Sequence, residues 1–223
     1  MNLGQSSSDI SGVIERNLGP MPGGWHSWKY NKNPCGSPVS AVVKRNGITV
    51  GACTLFPRRV FVNGEPVKAG FAGDFAVDRE HRILGPAMSV QKELIRAAKK
   101  RGYKFIYSFP NTLSMSLMIK IGYNPIVSLV KFIKILKWEY REGKHLPPEN
   151  FTRKIPPAGD GVFKLLSRDF YYSRKKGYAI HKPARFGRET DILWKKSCGK
   201  FQTVMERTSE YLNWRFIDSP FER

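Results

Sequence analysis

The stretch FAGDFAVDREHRILGPA, residues 71–87, decides how the rest of the chain is read. Its first half, Phe71 to Val77, is an apolar run with the length and composition of a buried strand. Asp78 to His81 form a short polar turn. Pro86 suits the first turn of a helix, and Val90, Leu94 and Ala97/Ala98 then recur on one helical face. A strand that feeds a glycine-containing turn at a helix N-terminus gathers unpaired amides at the positive end of the helix, which suits an anion such as a diphosphate. Gly85 permits close approach of backbone to ligand and Arg82 adds a charged fork, whereas Pro86 removes one donor. An ordinary strand-to-helix turn has the same local pattern, so the motif alone leaves both readings open.

Upstream, VSAVVKRNGITVGACTLFPRRVFVNGEPVKAG alternates apolar and polar residues and carries two Asn-Gly pairs, Asn46-Gly47 and Asn63-Gly64. Asn-Gly tolerates the positive φ angles that tight hairpins demand, so consecutive antiparallel strands are predicted. A short helix is expected over Asp9–Asn17. Downstream, a helix is predicted over 86–101 and stopped by Gly102, then a strand over 103–109, then a helix from Thr112 that ends before Gly122. Residues 126–138 read as a buried strand, with an amphipathic helix as the alternative because Lys131, Lys134 and Lys137 recur every third position.

Residues 143–161 hold four prolines and three glycines and read as a linker. The expected organisation is a first domain over 1–142 and a small, incomplete second module over 162–223. One echo ties the two ends together. Trp25-x-x-Trp28-Lys29-Tyr30-x-x-x-Pro34 near the start and Tyr211-x-x-Trp214-Arg215-Phe216-x-x-x-Pro220 near the end share one pattern, aromatic-x-x-Trp-basic-aromatic-x-x-x-Pro. Repeated units explain it better than chance, and packing rather than ligand binding is the expected use of the rings. A partial copy of this size cannot bury its own apolar face and is expected to pack on the first domain or on another chain.

The chain has 223 residues, with 41% apolar and 13% aromatic content, enough for a packed core. No run approaches the roughly 20 apolar residues of a membrane span, and the polar, Gly-rich start has no apolar core of a secretory leader. Three cysteines, Cys35, Cys53 and Cys198, and four histidines form no ligand spacing, so free thiols, no metal site and a cytoplasmic location are expected. The net charge of +20 favours anionic partners. It is spread along the chain without a block of like charges or a nucleic-acid-binding motif, so specific nucleic-acid recognition is disfavoured. A solvated basic surface and an anionic substrate both remain open.

Two patterns in order carry a family resemblance. Arg82-x-x-Gly85-x-Ala87 fits Arg/Gln-x-x-Gly-x-Gly/Ala, and Asn111-x-x-Ser114-x-x-Leu117-Met118-x-x-x-Gly122-Tyr123 is similar to Asn-x-x-Ala-x-x-Leu-Tyr-x-x-x-Gly-Phe. Over residues 25–140 the chain thus resembles the GNAT superfamily, the acetyl-CoA-dependent N-acyltransferases. The resemblance implies a mixed α/β fold with a mostly antiparallel central sheet flanked by helices, and acetyl-CoA as cofactor. It also implies that Phe75, Ala76 and Val77, on the family's fourth strand, pair with the pantetheine arm, and that the N–H of Val77 or Ala76 meets the oxyanion. Arg82, Ile83, Leu84, Gly85, Pro86 and Ala87 would hold the pyrophosphate, with Asn111 beside the cofactor. Asp74, an acid inside an apolar strand just before that stretch, is the candidate general base; a strand-end carboxylate bonded to backbone is the alternative.

Met118 departs from the pattern. It stands where relatives have the tyrosine that protonates the leaving thiolate, and a thioether donates no proton. Tyr123 and Ser116 are the nearest substitutes. The expected activity is transfer of an acetyl group from acetyl-CoA to a small-molecule or polymer-linked amine by direct attack. The alternatives are an inert acyl-CoA-binding or interaction module and a two-copy aminoacyltransferase of cell-wall precursors, and a homodimer is compatible with each.

Overall fold

A computed structural model describes residues 7–82, 84–130 and 183–221. The chain divides into two compact units, Met1–Pro125 with Pro183–Arg223, and Ile126–Lys182. In the second, residues 126–130 take no regular structure; the remainder of the expected strand 126–138 and the linker 143–161 lie outside the described residues.

The first unit begins with α1 (Ser7–Leu18) and a π-helical turn, Ser27–Asn31. Strands β1 (Val39–Arg45), β2 (Ile48–Val62) and β3 (Glu65–Val77) follow as an antiparallel meander. Then come α2 (Leu84–Lys100), β4 (Phe105–Tyr107) and α3 (Thr112–Lys120). The returning chain adds α4 (Arg188–Ser197), β5 (Thr203–Met205), α5 (Ser209–Leu212) and a second π-helical turn, Asn213–Ile217. The central sheet is thus mostly antiparallel and flanked by helices, as expected; among the described residues β4 alone runs parallel, on β3. Both hairpins turn on their Asn-Gly pairs, with φ of 49° and 79° at Asn46 and Gly47 and 51° and 86° at Asn63 and Gly64. Two left-handed residues in a row match the twist of the strands they join.

Each face of the sheet has its own cover. Ile10, Val13 and Ile14 of α1, with Trp25, Trp28 and Tyr30, pack on Val42, Ala52 and Phe56. Val90, Leu94, Ala97 and Ala98 of α2 pack on Val39, Ala41, Cys53 and Leu55 of the opposite face. Alternation along β2 sends Ala52 and Phe56 to one side and Cys53 and Leu55 to the other, as the period of a strand requires.

On β3 that alternation is broken. Ala52 pairs with Ala76 and Thr54 with Gly73, so Cys53 alone faces two residues, Asp74 and Phe75. The extra residue makes a β-bulge, and Asp74 takes φ 48° to form it. Before the bulge Phe71 lies on the α1 face and Ala72 on the α2 face; after it Ala76 lies on the α1 face and Phe75 on the α2 face. One inserted residue has exchanged the sides.

The described residues of the expected C-terminal module do not form a unit of their own. Pro183–Phe221 belong to the first unit. β5 extends the sheet by pairing with Val60–Val62, on the edge of β2 that β1 leaves uncovered. Burial explains the grouping: a segment this short encloses its tryptophans only against another surface. The two echoed motifs meet there. Both fold as π-helical turns in the same register, and the Trp28 and Trp214 rings stack at 5.0 Å and 18°. Trp28 Nε1 donates to Trp214 O at 2.6 Å, and Trp214 Nε1 donates to Trp28 O at 2.9 Å. Each indole thus satisfies its buried N–H on the other's backbone. The Arg58 guanidinium covers the outer face of Trp214 at 5.0 Å.

Among the described residues no helix is long and apolar enough to cross a membrane.

Candidate active site

β4 pairs with β3 only at Ala69–Phe71. Beyond that point Ser108 Oγ donates to Ala72 O at 2.9 Å, and among the described residues no strand continues along Gly73–Val77 on that side. Asp78 N donates to Val50 O at 2.8 Å, which fixes the alternation: Ala76 faces β2, while the main-chain groups of Phe75 and Val77 face the open edge. Of the three residues expected to pair with an extended ligand, Ala76 is therefore turned away and Phe75 and Val77 are presented.

The open edge ends at the start of α2. A helix beginning at Leu84 leaves the amides of Leu84 and Gly85 without an acceptor inside the helix; Pro86 has no amide, and Ala87 stands where the helix ladder begins. A Cβ at Gly85 would meet no atom of the described residues within 4 Å, so space is open beside that residue. That space, at the positive end of a helix, fits a phosphate-bearing group such as the diphosphate of coenzyme A. Ile83 lies outside the described residues.

Arg82 does more than lend charge. Its Nε donates to Val77 O and its Nη2 to Asn17 Oδ1, each at 3.0 Å. Asn17 Nδ2 and the Arg16 guanidinium both bond Asp78. Partial burial disfavours the Asp78 carboxylate, yet these hydrogen bonds outweigh it and hold the group below its ordinary range. The expected phosphate fork is thus also a brace between α1, the end of β3 and the α2 corner.

Asn111 caps α3: Ser114 N donates to Asn111 Oδ1 at 3.0 Å, and Ser114 Oγ does so at 2.8 Å. The extended backbone at Asn111 and the bare amides of the first turn make this the cheaper use of an Asn side chain. Asn111→Ala is expected to cost about 1 kcal/mol of stability by urea denaturation.

Asp74 is the centre of a cluster that the sequence does not reveal. The bulge aims its side chain to the α1 face, where Lys29 Nζ forms an ion pair with Oδ1 and Tyr30 Oη donates to Oδ2 at 2.8 Å. The Asp74 side chain is 8% exposed and that of Lys29 18%. Tyr30 Oη also lies 3.2 Å from Thr54 Oγ1, which is 2.9 Å from Ser40 Oγ. Burial, followed by the Asp74 charge, pushes the Tyr30 phenol far above its ordinary pKa, so it remains a donor. Lys29 Nζ sits over the rings of Phe56 at 4.7 Å and Trp25 at 5.3 Å. His26 stacks on Tyr30 at 4.4 Å and 6°, and burial lowers its pKa. The first aromatic motif therefore packs through Trp28 and also delivers a lysine and a tyrosine to Asp74.

Met118 is buried on the inner side of α3. The Tyr123 hydroxyl is buried with no hydrogen-bond partner among the described residues, and burial raises its pKa well above the ordinary phenol value. A phenol so shifted is a poor proton donor to a thiolate but remains a hydrogen-bond donor. Ser116 is exposed.

Residues 18–126 match the family model of the acetyltransferase (GNAT) domain. The chain carries a domain of the GNAT acetyltransferase family, with the fold of that family. Similar solved structures include an acetyltransferase from Trypanosoma brucei, at 18% identity over 60% of this chain and 100% of that one, with a TM-score of 0.46. A glucosamine-6-phosphate N-acetyltransferase from Arabidopsis thaliana is also similar, at 18% identity over 60% of this chain and 98% of its own, TM-score 0.47. So is the aminoglycoside N-acetyltransferase AAC(6′)-Iy in complex with a bisubstrate analogue, at 17% identity over 60% and 97%, TM-score 0.49. No curated protein matches the chain. The family match ends before the second echoed motif, so the likeness of the two π-helical turns stands as a feature of this chain.

Proposed function

We propose that the protein is an N-acetyltransferase that moves the acetyl group of acetyl-CoA directly onto a primary amine. The observation that carries the reading is the position of the Asp74 bulge: it lies on an open strand edge that runs on toward the start of α2. An extended pantetheine arm would lie along Phe75 and Val77 as an added strand, and the diphosphate would lie at the amides of Leu84 and Gly85.

Acetyl-CoA supplies an activated thioester. The Val77 N–H, fixed by the sheet, holds its carbonyl oxygen as negative charge develops there. Asp74 takes the proton of the attacking amine. Lys29 holds Oδ1 and Tyr30 holds Oδ2, and the acceptor's amine takes the place of Lys29 on Oδ1. The Trp25 and Phe56 rings then form the walls of an amine slot suited to an alkylammonium rather than an anion. Tyr123 serves as a hydrogen-bond donor towards the departing sulfur, which as an alkyl thiolate of pKa near 8.5 leaves without full protonation.

The cofactor half is tested by thermal stability. Acetyl-CoA at about 100 times its dissociation constant stabilises a protein by about 2.7 kcal/mol, a midpoint rise of about 5–10 °C for a chain of this size. Gly85→Glu, which fills the corner with a like-charged side chain, should abolish the rise. A rise unchanged in Gly85→Glu would place the ligand elsewhere and overturn the assignment of the corner.

The buried Met118, where the family has a tyrosine, favours a second reading: a domain that binds acyl-CoA without turning it over. Free thiol release with a panel of alkylamines decides between the two, because a binding module gives the thermal shift without release.

A further inference from the structure

Lys29 is itself a primary amine, and it already occupies the place that the proposed reaction reserves for its acceptor. Its Nζ is hydrogen-bonded to the base, Asp74 Oδ1. The base is oriented by a third group, the Tyr30 hydroxyl on Oδ2. Nucleophile, base and orienting group within hydrogen-bond reach is the arrangement by which proteins activate a side chain for attack. The next residue after Asp74 is Phe75, whose main-chain groups face the open edge where the thioester would lie. The corresponding basic residue of the second motif is Arg215, set on the ring of Phe216 at 5.8 Å. A guanidinium stays charged and is no nucleophile.

We infer that, beyond transfer to a free acceptor, the protein acylates itself on Lys29 Nζ with the acyl-CoA it binds. In the step the Lys29 ammonium gives one proton to Asp74, and the neutral Nζ forms a bond to the thioester carbonyl carbon; as the C–S bond breaks, the second proton leaves the nitrogen for the departing sulfur, coenzyme A departs as thiol, and Asp74 returns its proton to solvent. The product is a neutral amide. The ion pair to Asp74 is then gone, and the slot between Trp25 and Phe56 is filled by an acylated side chain. Lys29 and Asp74 belong to one chain and are already in contact, so self-acylation proceeds in cis.

This inference rests on the proposed N-acetyltransferase reading, and the experiment separates the two. The full chain is incubated with acetyl-labelled acetyl-CoA over a dilution series, and each lysine is followed by peptide mass spectrometry. Label is expected to accumulate on Lys29 ahead of the exposed Lys100 near the end of α2, at a rate independent of protein concentration. Asp74→Asn should slow it by about 10²-fold or more. Acetyl phosphate, a donor with no pantetheine to lie along β3, should give Lys29 no advantage over Lys100, a control that needs no substitution. Lys29→Arg should remove that label and keep the acetyl-CoA thermal shift.

Equal labelling of Lys29 and Lys100, equal labelling in a folded Asp74→Asn variant, or a rate that rises with protein concentration overturns the inference. If acetyl-CoA stabilises the protein and alkylamines are acetylated while Lys29 stays unlabelled, self-acylation falls and the proposed function stands. If acetyl-CoA gives no thermal shift at all, both fall.

Discussion

Asp74→Asn is expected to lower kcat for acetyl transfer by about 10²–10⁴, the usual contribution of a positioned general base. The substitution keeps the size of the side chain, and Asn also tolerates the left-handed backbone that the bulge imposes at φ 48°. The amide oxygen can still accept from Tyr30 or Lys29, but it cannot take a proton. Lys29 loses a charged partner and keeps the Phe56 and Trp25 faces. The fold should therefore survive with a modest loss, of the order of 1–3 kcal/mol, from one weakened buried contact. Steady-state kinetics at saturating acetyl-CoA, alongside circular dichroism to confirm folding, is the measurement. A folded variant with kcat near the parent value would remove Asp74 from the mechanism. Asp74→Ala is less informative, because a Cβ-only residue at positive φ strains the bulge itself.

The largest effect on stability is expected at the paired indoles. Trp214→Ala removes a buried ring stacked on Trp28, the platform for Arg58 and the donor to Trp28 O. Truncation of a buried Trp costs about 3–5 kcal/mol. For a chain of this size that lowers the midpoint by about 6–20 °C. The bond from Trp28 Nε1 goes to the backbone carbonyl of residue 214 and so survives the substitution. Trp214→Phe keeps a stacked ring and loses only part of the burial and the Nε1 donor, so its cost should lie clearly below that of alanine. Urea unfolding of the three proteins checks the order. Equal stability of all three would mean that residues 183–221 do not pack on residues 7–125 in solution.

The sheet was legible in the sequence because each of its signals is local. Asn46-Gly47 and Asn63-Gly64 fix two turns, and the 3.6-residue recurrence of Val90, Leu94 and Ala97/Ala98 fixes one face of α2. The echo of two Trp motifs was also visible, although not that their rings meet. What remained hidden depends on residues far apart in the chain. Lys29 and Tyr30 reach Asp74 across about forty-five positions, and nothing in WHSWKY distinguishes a side chain that packs from one that meets a carboxylate. The bulge is masked by composition: Phe71 and Phe75 are four apart and look like one face of a regular strand, but they lie on opposite faces. The one local hint is Gly73-Asp74, a glycine and a residue tolerant of positive φ within an apolar run. At Asn111 the local rule, an Asn opening a helix, describes the side chain directly.

The interlock of the indoles bears on how the protein is handled in the laboratory. A gene fragment that stops at residue 126, where the family match ends, would encode a core with one wall removed. The flat face of Trp28 would be wetted, and Val60–Val62 would become a raw sheet margin able to template pairing between molecules. Inclusion bodies are the expected harvest from such a fragment, and co-expression with a separate peptide spanning 183–221 is the natural remedy.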